Sequence, residues 1–233
     1  MLNPLSRMTL WITARKIFQH QYSITQTSLI LKYDIMDNLT RIYDNVIPAD
    51  KCDYFVNKFE KHSELHEIQD CGLGKTLTRI NLMASSDTPF RNDLNYLSNL
   101  FMESVERYKH DCQIHPLQFP EKFGVEAFKI KRYLPNTTDE FPYHVDVLNR
   151  ESCRRFLVMF AYLTNDEAGE TEINVKSEYY GPDYEEKKKR SYITSSCKQG
   201  SILLFPPMWP WMHKGVAPAK TAKYIIGSYL HYV

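Results

Sequence analysis

The stretch Phe141-Pro142-Tyr143-His144-Val145-Asp146 carries the clearest chemical content of this chain. Along a β-strand, residues i and i+2 share a face. His144 and Asp146 therefore aim an imidazole and a carboxylate at one point. His213, in a later apolar and strand-like stretch, can supply a second imidazole. Two imidazoles and one carboxylate form the facial triad that holds non-haem Fe(II) and leaves three coordination positions open for chemistry. An HxD pair alone is a common accident of ordinary strands and turns, so the neighbouring sequence decides its weight.

Three features add weight. Gly200-Ser201-Ile202-Leu203-Leu204-Phe205 reads as a buried strand shortly before His213. Lys223 follows His213 at the start of the last strand. On that strand Lys223, Ile225, Gly227 and Tyr229 share one face. A lysine in an otherwise apolar strand needs an anionic partner, because an unpaired buried charge is costly. The carboxylate of a bound ligand is such a partner.

The elements that must position these groups are legible as changes of hydrophobic period. Arg41–Ile47 is a short extended segment, and Pro48 opens a helix to His62 with an apolar stripe of Cys52, Phe55, Val56 and Phe59. Residues 66–87 are extended, with a reversal at Cys71-Gly72-Leu73-Gly74. The glycines there lack the spacing of a phosphate loop. Asp87 or Thr88 is expected to cap a second helix running to about Lys109, with Pro116 and Pro120 closing it. Its stripe is Phe90, Leu94, Leu97, Phe101, Val105 and Tyr108. From Val125 the period becomes two. Val125–Leu134 reads as one strand with Lys129, Lys131 and Tyr133 on one face and Phe128, Ile130 and Arg132 on the other. Arg155–Leu163, Gly169–Val175, Gly200–Phe205, Met208–Val216 and Ala222–Val233 follow as short apolar runs, which is the pattern of a β-sandwich or barrel.

Composition excludes several classes. With Lys+Arg 29 against Asp+Glu 28, the net charge of +1 gives no global field for nucleic acid. The run Lys187–Arg190 then reads as a solvated loop. Five cysteines without a CxxC argue against a disulfide framework or zinc site and for a reducing compartment. No apolar run approaches the ~20 residues of a membrane span. Residues 1–35 are acid-poor before Asp34 and read as an N-terminal arm or a start upstream of Met36; a mitochondrial transit peptide is the other reading. The expected compartment is cytoplasmic, or mitochondrial on that second reading. Residues 36–233 are expected to form one domain, with helical support over 36–124 and the core over 125–233.

The order Tyr133, His144-Val145-Asp146, Arg155, Tyr162-Leu163, Gly169-Glu170-Thr171, Gly200–Pro206, His213–Pro218 and Lys223-Tyr224 resembles the catalytic domain of the prolyl 4-hydroxylases, which are Fe(II)- and 2-oxoglutarate-dependent dioxygenases. The resemblance covers residues 125–233, and more weakly the chain back to Leu39. It implies a mainly β, α+β fold: a double-stranded β-helix, or jelly roll, with supporting helices on one side. It implies His144, Asp146 and His213 as iron ligands. Lys223 would pair with the distal carboxylate of 2-oxoglutarate, helped by the Tyr162 hydroxyl, with Tyr133 and Thr171 near the cosubstrate and Tyr229 at the pocket wall. The implied partners are O2 and a peptide or protein substrate, most directly a peptidyl proline, and ascorbate is a further implied cofactor. Ala168-Gly169-Glu170 departs from the two glycines usual there, and Lys223 supplies a point charge where a fork is the other choice. A long 176–192 segment stands as an insertion, a lid or a substrate loop.

Other readings stay open at this stage. Tyr143, Tyr179, Tyr180 and Tyr184 could line a peptide groove or anchor loops. Trp211, like Trp209, is pocket wall or simple packing. A jelly-roll binding module without turnover is the rival from another class, and a demethylase of nucleobases or a hydroxylase of small molecules is the rival within the class.

Overall fold

The last strand organises the fold. Lys223–Tyr232 (β12) is ten residues long and rich in β-branched and aromatic side chains, the types that fit a pleated, half-buried surface. It pairs antiparallel with Arg155–Tyr162 (β7) on one side and with Lys129–Tyr133 (β5) on the other. In the computed structural model, residues 39–136, 138–174 and 192–233 are described. Among them Leu39–Val233 forms one compact unit. The expected insertion at 176–192, with Tyr179, Tyr180, Tyr184 and the Lys187–Arg190 run, falls almost wholly outside the described residues, as do residues 1–35.

The remaining strands are Arg41–Tyr43 (β1), Glu67–Gly72 (β2), Lys75–Asn81 (β3), Phe123–Val125 (β4), Phe141–His144 (β6), Thr171–Asn174 (β8), Tyr192–Ser195 (β9), Ile202–Phe205 (β10) and Met212–Gly215 (β11). The major sheet runs β1-β10-β7-β12-β5-β3-β2, with β4 also on β12. The minor sheet runs β6-β11-β8-β9. Every strand pair in both sheets is antiparallel. This is the double-stranded β-helix that the resemblance implied.

Two helices, Ala49–Lys61 (α1) and Leu94–Asp111 (α2), cover the outer face of the major sheet. Cys52, Phe55 and Phe59 of α1 and Leu97, Phe101 and Val105 of α2 join one buried cluster with Ile80, Ile130, Met159, Ala161 and Ile226 from the strands. Those strand positions alternate with the polar and aromatic residues of the inner face, so apolar burial against the helices fixes the register of the inner face. Burying side chains of this size contributes about 1.5–3 kcal/mol each.

The structure corrects several boundaries. The second helix begins at Leu94, because Thr88–Asp93 winds as a turn and a 3-10 segment that seats Phe90 fully in the core. Asp93 is held there by Tyr54 at 3.0 Å and by Lys58 at 2.8 Å. The helix closes at Asp111, ahead of the prolines. The strand expected over 125–134 is divided: β4 pairs with Leu230–Tyr232 and β5 with Lys223–Gly227. Between them the Glu126 amide and carbonyl bond to Tyr229 and Ser228. β9 went unnoticed in the sequence, since it sits at the edge of a long polar segment. No helix among the described residues is long and apolar enough to cross a membrane.

Candidate metal centre

β6 and β11 build the corner where the polar groups meet. His144 and His213 are directly opposed in this antiparallel pair, with ring centroids 4.3 Å apart. From there to the next pair, Phe141 opposite Gly215, β6 uses one residue more than β11. That bulge brings Phe141 onto the inner face beside His144, and the two rings stack at 3.8 Å. Just past the strand, the Asp146 amide donates to the Pro207 carbonyl at 2.9 Å. Ligand atoms of His144, Asp146 and His213 all lie within 4.8 Å of one another. The Nε2 of His144 is 3.5 Å from Asp146 Oδ1, and that of His213 is 3.4 Å from Oδ2.

The tautomers follow from backbone contacts. His144 Nδ1 is 2.8 Å from the Pro142 carbonyl, and His213 Nδ1 is 3.0 Å from the Trp211 carbonyl. A carbonyl only accepts, so each Nδ1 carries its hydrogen and each Nε2 turns a lone pair towards the corner. Burial pushes the His213 imidazolium down to about 4, against the opposing pull of Asp146. Burial would raise Asp146, but His213, His144 and the Tyr229 hydroxyl outweigh it and hold the carboxyl well below its usual range. A neutral His213 and an ionised Asp146 are the states that take a metal.

The carboxylate is itself oriented. Tyr229 donates to Oδ1 at 2.7 Å. Arg155 lies 4.1 Å above the Tyr229 ring, donates to the Asp146 carbonyl at 3.3 Å and grips Glu126 through two bonds of 2.7 and 2.9 Å. Oδ2 is buried and has no hydrogen-bond partner among the described residues. An orphaned carboxylate oxygen between two inward lone pairs fits a divalent cation, and the mixed nitrogen and oxygen set with an open side fits non-haem Fe(II).

A cavity bordered by this corner also reaches Tyr133, Thr171, Gly215 and Lys223. Lys223 is 1% exposed and has no ion pair among the described residues. Its Nζ donates to the Val216 carbonyl at 3.5 Å and sits 4.8 and 5.6 Å from the Tyr133 and Tyr162 rings. Burial pushes this ammonium down to about 8, with Cys197 and Glu170 acting against the shift. A Cβ placed on Gly215 would stand 3.5 Å from the Tyr133 hydroxyl and 3.6 Å from Lys223 Nζ, so both polar ends face the gap that glycine leaves open. The Tyr162 hydroxyl lies between Thr171 Oγ1 at 2.8 Å and the Ser195 carbonyl at 3.0 Å. Thr171 lines the cavity and Tyr162 stands behind it.

The other expected residues are placed as follows. Tyr229 lines the cavity. Tyr143, adjacent to His144 in the strand, contacts Glu172 and lies under Lys214, 5.4 Å from its ring, and lines neither cavity at the corner. Trp211 is buried beneath His213 and offers its carbonyl, not its ring, to the site. Sequence reasoning gave no role to Lys131 or Lys129, although their alternation with Tyr133 already placed them on the inner face. Gly215 entered only as part of the matching His213–Pro218 segment, with no role of its own.

No protein-family model matches the chain, and no curated relative matches it. Solved structures do. A prolyl hydroxylase of Trichoplax adhaerens, in complex with a hypoxia inducible factor oxygen degradation domain peptide fragment, is 14% identical with a TM-score of 0.60, over 90% of this chain and 94% of that one. A viral collagen prolyl hydroxylase of Paramecium Bursaria Chlorella virus-1, solved as a 2OG complex, is 16% identical with a TM-score of 0.56, over 84% of this chain and 97% of that one. A prolyl-4-hydroxylase of Pseudomonas putida is 11% identical with a TM-score of 0.54, over 86% and 98%. The chain has the fold of these proteins across nearly their whole length.

Proposed function

We propose that this chain is an Fe(II)- and 2-oxoglutarate-dependent dioxygenase that hydroxylates an unactivated C–H bond, in the first place a peptidyl proline. One observation carries the reading: a corner of two inward imidazole lone pairs and an unpartnered carboxylate oxygen shares its cavity with a buried, unpaired ammonium. The fold shared with prolyl hydroxylases supports it.

In this reading His144, Asp146 and His213 hold the iron. Bound with 2-oxoglutarate and O2, the iron supplies oxidative decarboxylation to succinate and CO2 together with oxidation of the target C–H. The remaining work belongs to the chain. The backbone carbonyls of Pro142 and Trp211 fix the imidazole tautomers, and Tyr229 fixes the rotation of Asp146. Lys223 receives the distal carboxylate of the cosubstrate, with the Tyr133 hydroxyl beside it. Tyr162 acts as a positioning residue by holding Thr171. Phe141, Phe160 and Ile225 keep the cavity dry, which strengthens each polar contact made inside it. Ascorbate belongs to the same reading as an auxiliary of turnover.

Incubation with Fe(II), 2-oxoglutarate and a panel of proline-containing peptides tests this. Succinate should form together with a peptide mass gain of one oxygen, and Asp146→Ala should give neither. Background succinate across the panel, with an intact Fe(II)–2-oxoglutarate absorption band, would remove the prolyl assignment. Absence of the band would remove the oxygenase assignment.

A further inference from the structure

The inner face of β5 continues past the cosubstrate end. From Tyr133 it steps to Lys131 and then to Lys129, opposite Ile225 and Gly227 of β12. Lys131 borders both the cavity described above and a second one of about 210 Å³, which shares Asp146, Phe141 and Tyr229 with it. Lys129, Arg79 and Arg155 also line this second cavity. Gly227 is required here, since a Cβ on it would sit 2.4 Å from that of Phe160. The space beyond the metal corner is therefore ringed by four cationic side chains.

Their charges are not balanced equally. Arg155 is matched by Glu126 at 2.7 Å and Arg79 by Glu67 at 3.0 Å. Lys129 and Lys131 are half-buried, and their ammonium groups have neither an ion pair nor a hydrogen bond among the described residues. Lys131 has a partial substitute in the Phe141 ring, 5.2 Å from its Nζ. The carboxylate acting most on Lys131 is Asp146, whose oxygens are directed to Tyr229 and to the metal corner. Burial pushes Lys131 down to about 8 and lowers Lys129 as well. Two desolvated ammonium groups side by side are unfavourable until an anion joins them.

We propose that Lys129 and Lys131 are the specificity-determining residues of the substrate cleft, and that they select a peptide with a carboxylate side chain within about two residues of the position oxidised. The inference rests on the oxygenase reading above and names its substrate class. Lys131 lines the cavity of the metal corner, and Lys129, which lines only the second cavity, is one strand period away along β5, roughly 6–7 Å. An extended peptide rises about 3.3 Å per residue, so an aspartate or glutamate flanking the target residue reaches this pair. A neutral proline-rich segment leaves both lysines unpaired. A basic segment adds repulsion, which is a means of exclusion as well as selection.

The test uses the full chain loaded with Mn(II) and 2-oxoglutarate, so that binding is read without turnover. Fluorescence anisotropy follows three labelled proline peptides that differ only in the flanking residue: aspartate, asparagine or lysine. The aspartate peptide should bind at least about ten-fold more tightly than the asparagine peptide, with the lysine peptide weakest. Lys129→Met combined with Lys131→Met should abolish the difference, and Lys129→Glu should reverse the order of the aspartate and lysine peptides. The visible band of the Fe(II)–2-oxoglutarate complex reports a folded, loaded site in each variant. Equal binding of the three peptides with the band present overturns the proposal, as does binding of none. Selectivity for free dicarboxylates over all three peptides overturns it in favour of a small anionic substrate. A rise in the 2-oxoglutarate requirement of Lys131→Met with no change in peptide preference overturns it by assigning Lys131 to the cosubstrate. Loss of the band in the unmutated protein counts against the oxygenase reading and is thus told apart.

Discussion

The two ends of the cavity system are built on the same two strands and differ in how they treat charge. At the closed end β12 presents Lys223 and β5 presents Tyr133, and the ammonium is buried among aromatic rings with a single weak contact to a carbonyl. At the open end the same strands present Gly227 and Lys129, with Arg155 and Arg79 nearby and already matched by Glu126 and Glu67. A charge sealed in a fixed pocket can be satisfied by one ligand of fixed length. Charges set around an open mouth accept partners of varied length. On the proposed reading the cosubstrate requirement is written into the rigid end, and substrate choice into the end that can be retuned without disturbing the chemistry between them.

The comparison breaks most visibly at the corner that joins the two ends. Asp146→Ala should lower 2-oxoglutarate turnover by roughly a thousand-fold, a loss of several kcal/mol, in a coupled succinate assay. Next comes stability. Lys223→Met removes an unpaired buried charge and should stabilise the ligand-free protein by about 1–3 kcal/mol in urea unfolding, whereas Lys129→Met, at a half-buried ammonium, should also stabilise it but by less than about 1 kcal/mol. Tyr229→Phe takes the donor from Asp146 Oδ1 and should weaken Fe(II) affinity about 10- to 100-fold, read by competition with a chelating dye.

A pH titration sharpens the same contrast. Unfolded, Lys223 keeps its proton up to its ordinary 10.5; folded, only up to about 8. Between these values the unfolded chain binds more protons, so the ligand-free protein should gain stability as pH rises through that window, and the gain should be absent below about 8. The cosubstrate needs the ammonium form, so 2-oxoglutarate affinity should move the opposite way, falling by up to about ten-fold per pH unit above 8. The smallest effect is expected at Tyr143, which points away from both ends. Tyr143→Phe should change turnover less than about two-fold and stability by under about 0.5 kcal/mol.

How far the sequence disclosed this layout depends on the range of the forces involved. Strand alternation is local, so it placed His144 with Asp146, Lys223 with Tyr229, and Lys129 and Lys131 with Tyr133. The same alternation turns Tyr143 away from His144; its expected place in a peptide groove rested on its aromatic character, which says nothing of the face it takes. The bulge that brings Phe141 inward is a property of the β6–β11 pairing, which no local pattern contains. The division of 125–134 has a similar origin, since Glu126 is claimed by Tyr229 and Arg155 from distant strands. The start of α2 at Leu94 was hidden because Phe90 continues the apolar spacing while belonging to a turn. The Tyr162 hydroxyl was expected at the cosubstrate by resemblance alone; the contact that places it behind Thr171 depends on β9, which the polar composition around it concealed.

The most direct measurement is an anaerobic titration of the Fe(II)-loaded protein with 2-oxoglutarate, followed by the visible charge-transfer band. The account predicts a saturable band for the natural chain, no band for Asp146→Ala, and a midpoint shifted roughly hundred-fold upward for Lys223→Ala, in keeping with the loss of a buried charge-assisted contact. A band that survives in Asp146→Ala, or a Lys223→Ala midpoint equal to that of the natural chain, would contradict it.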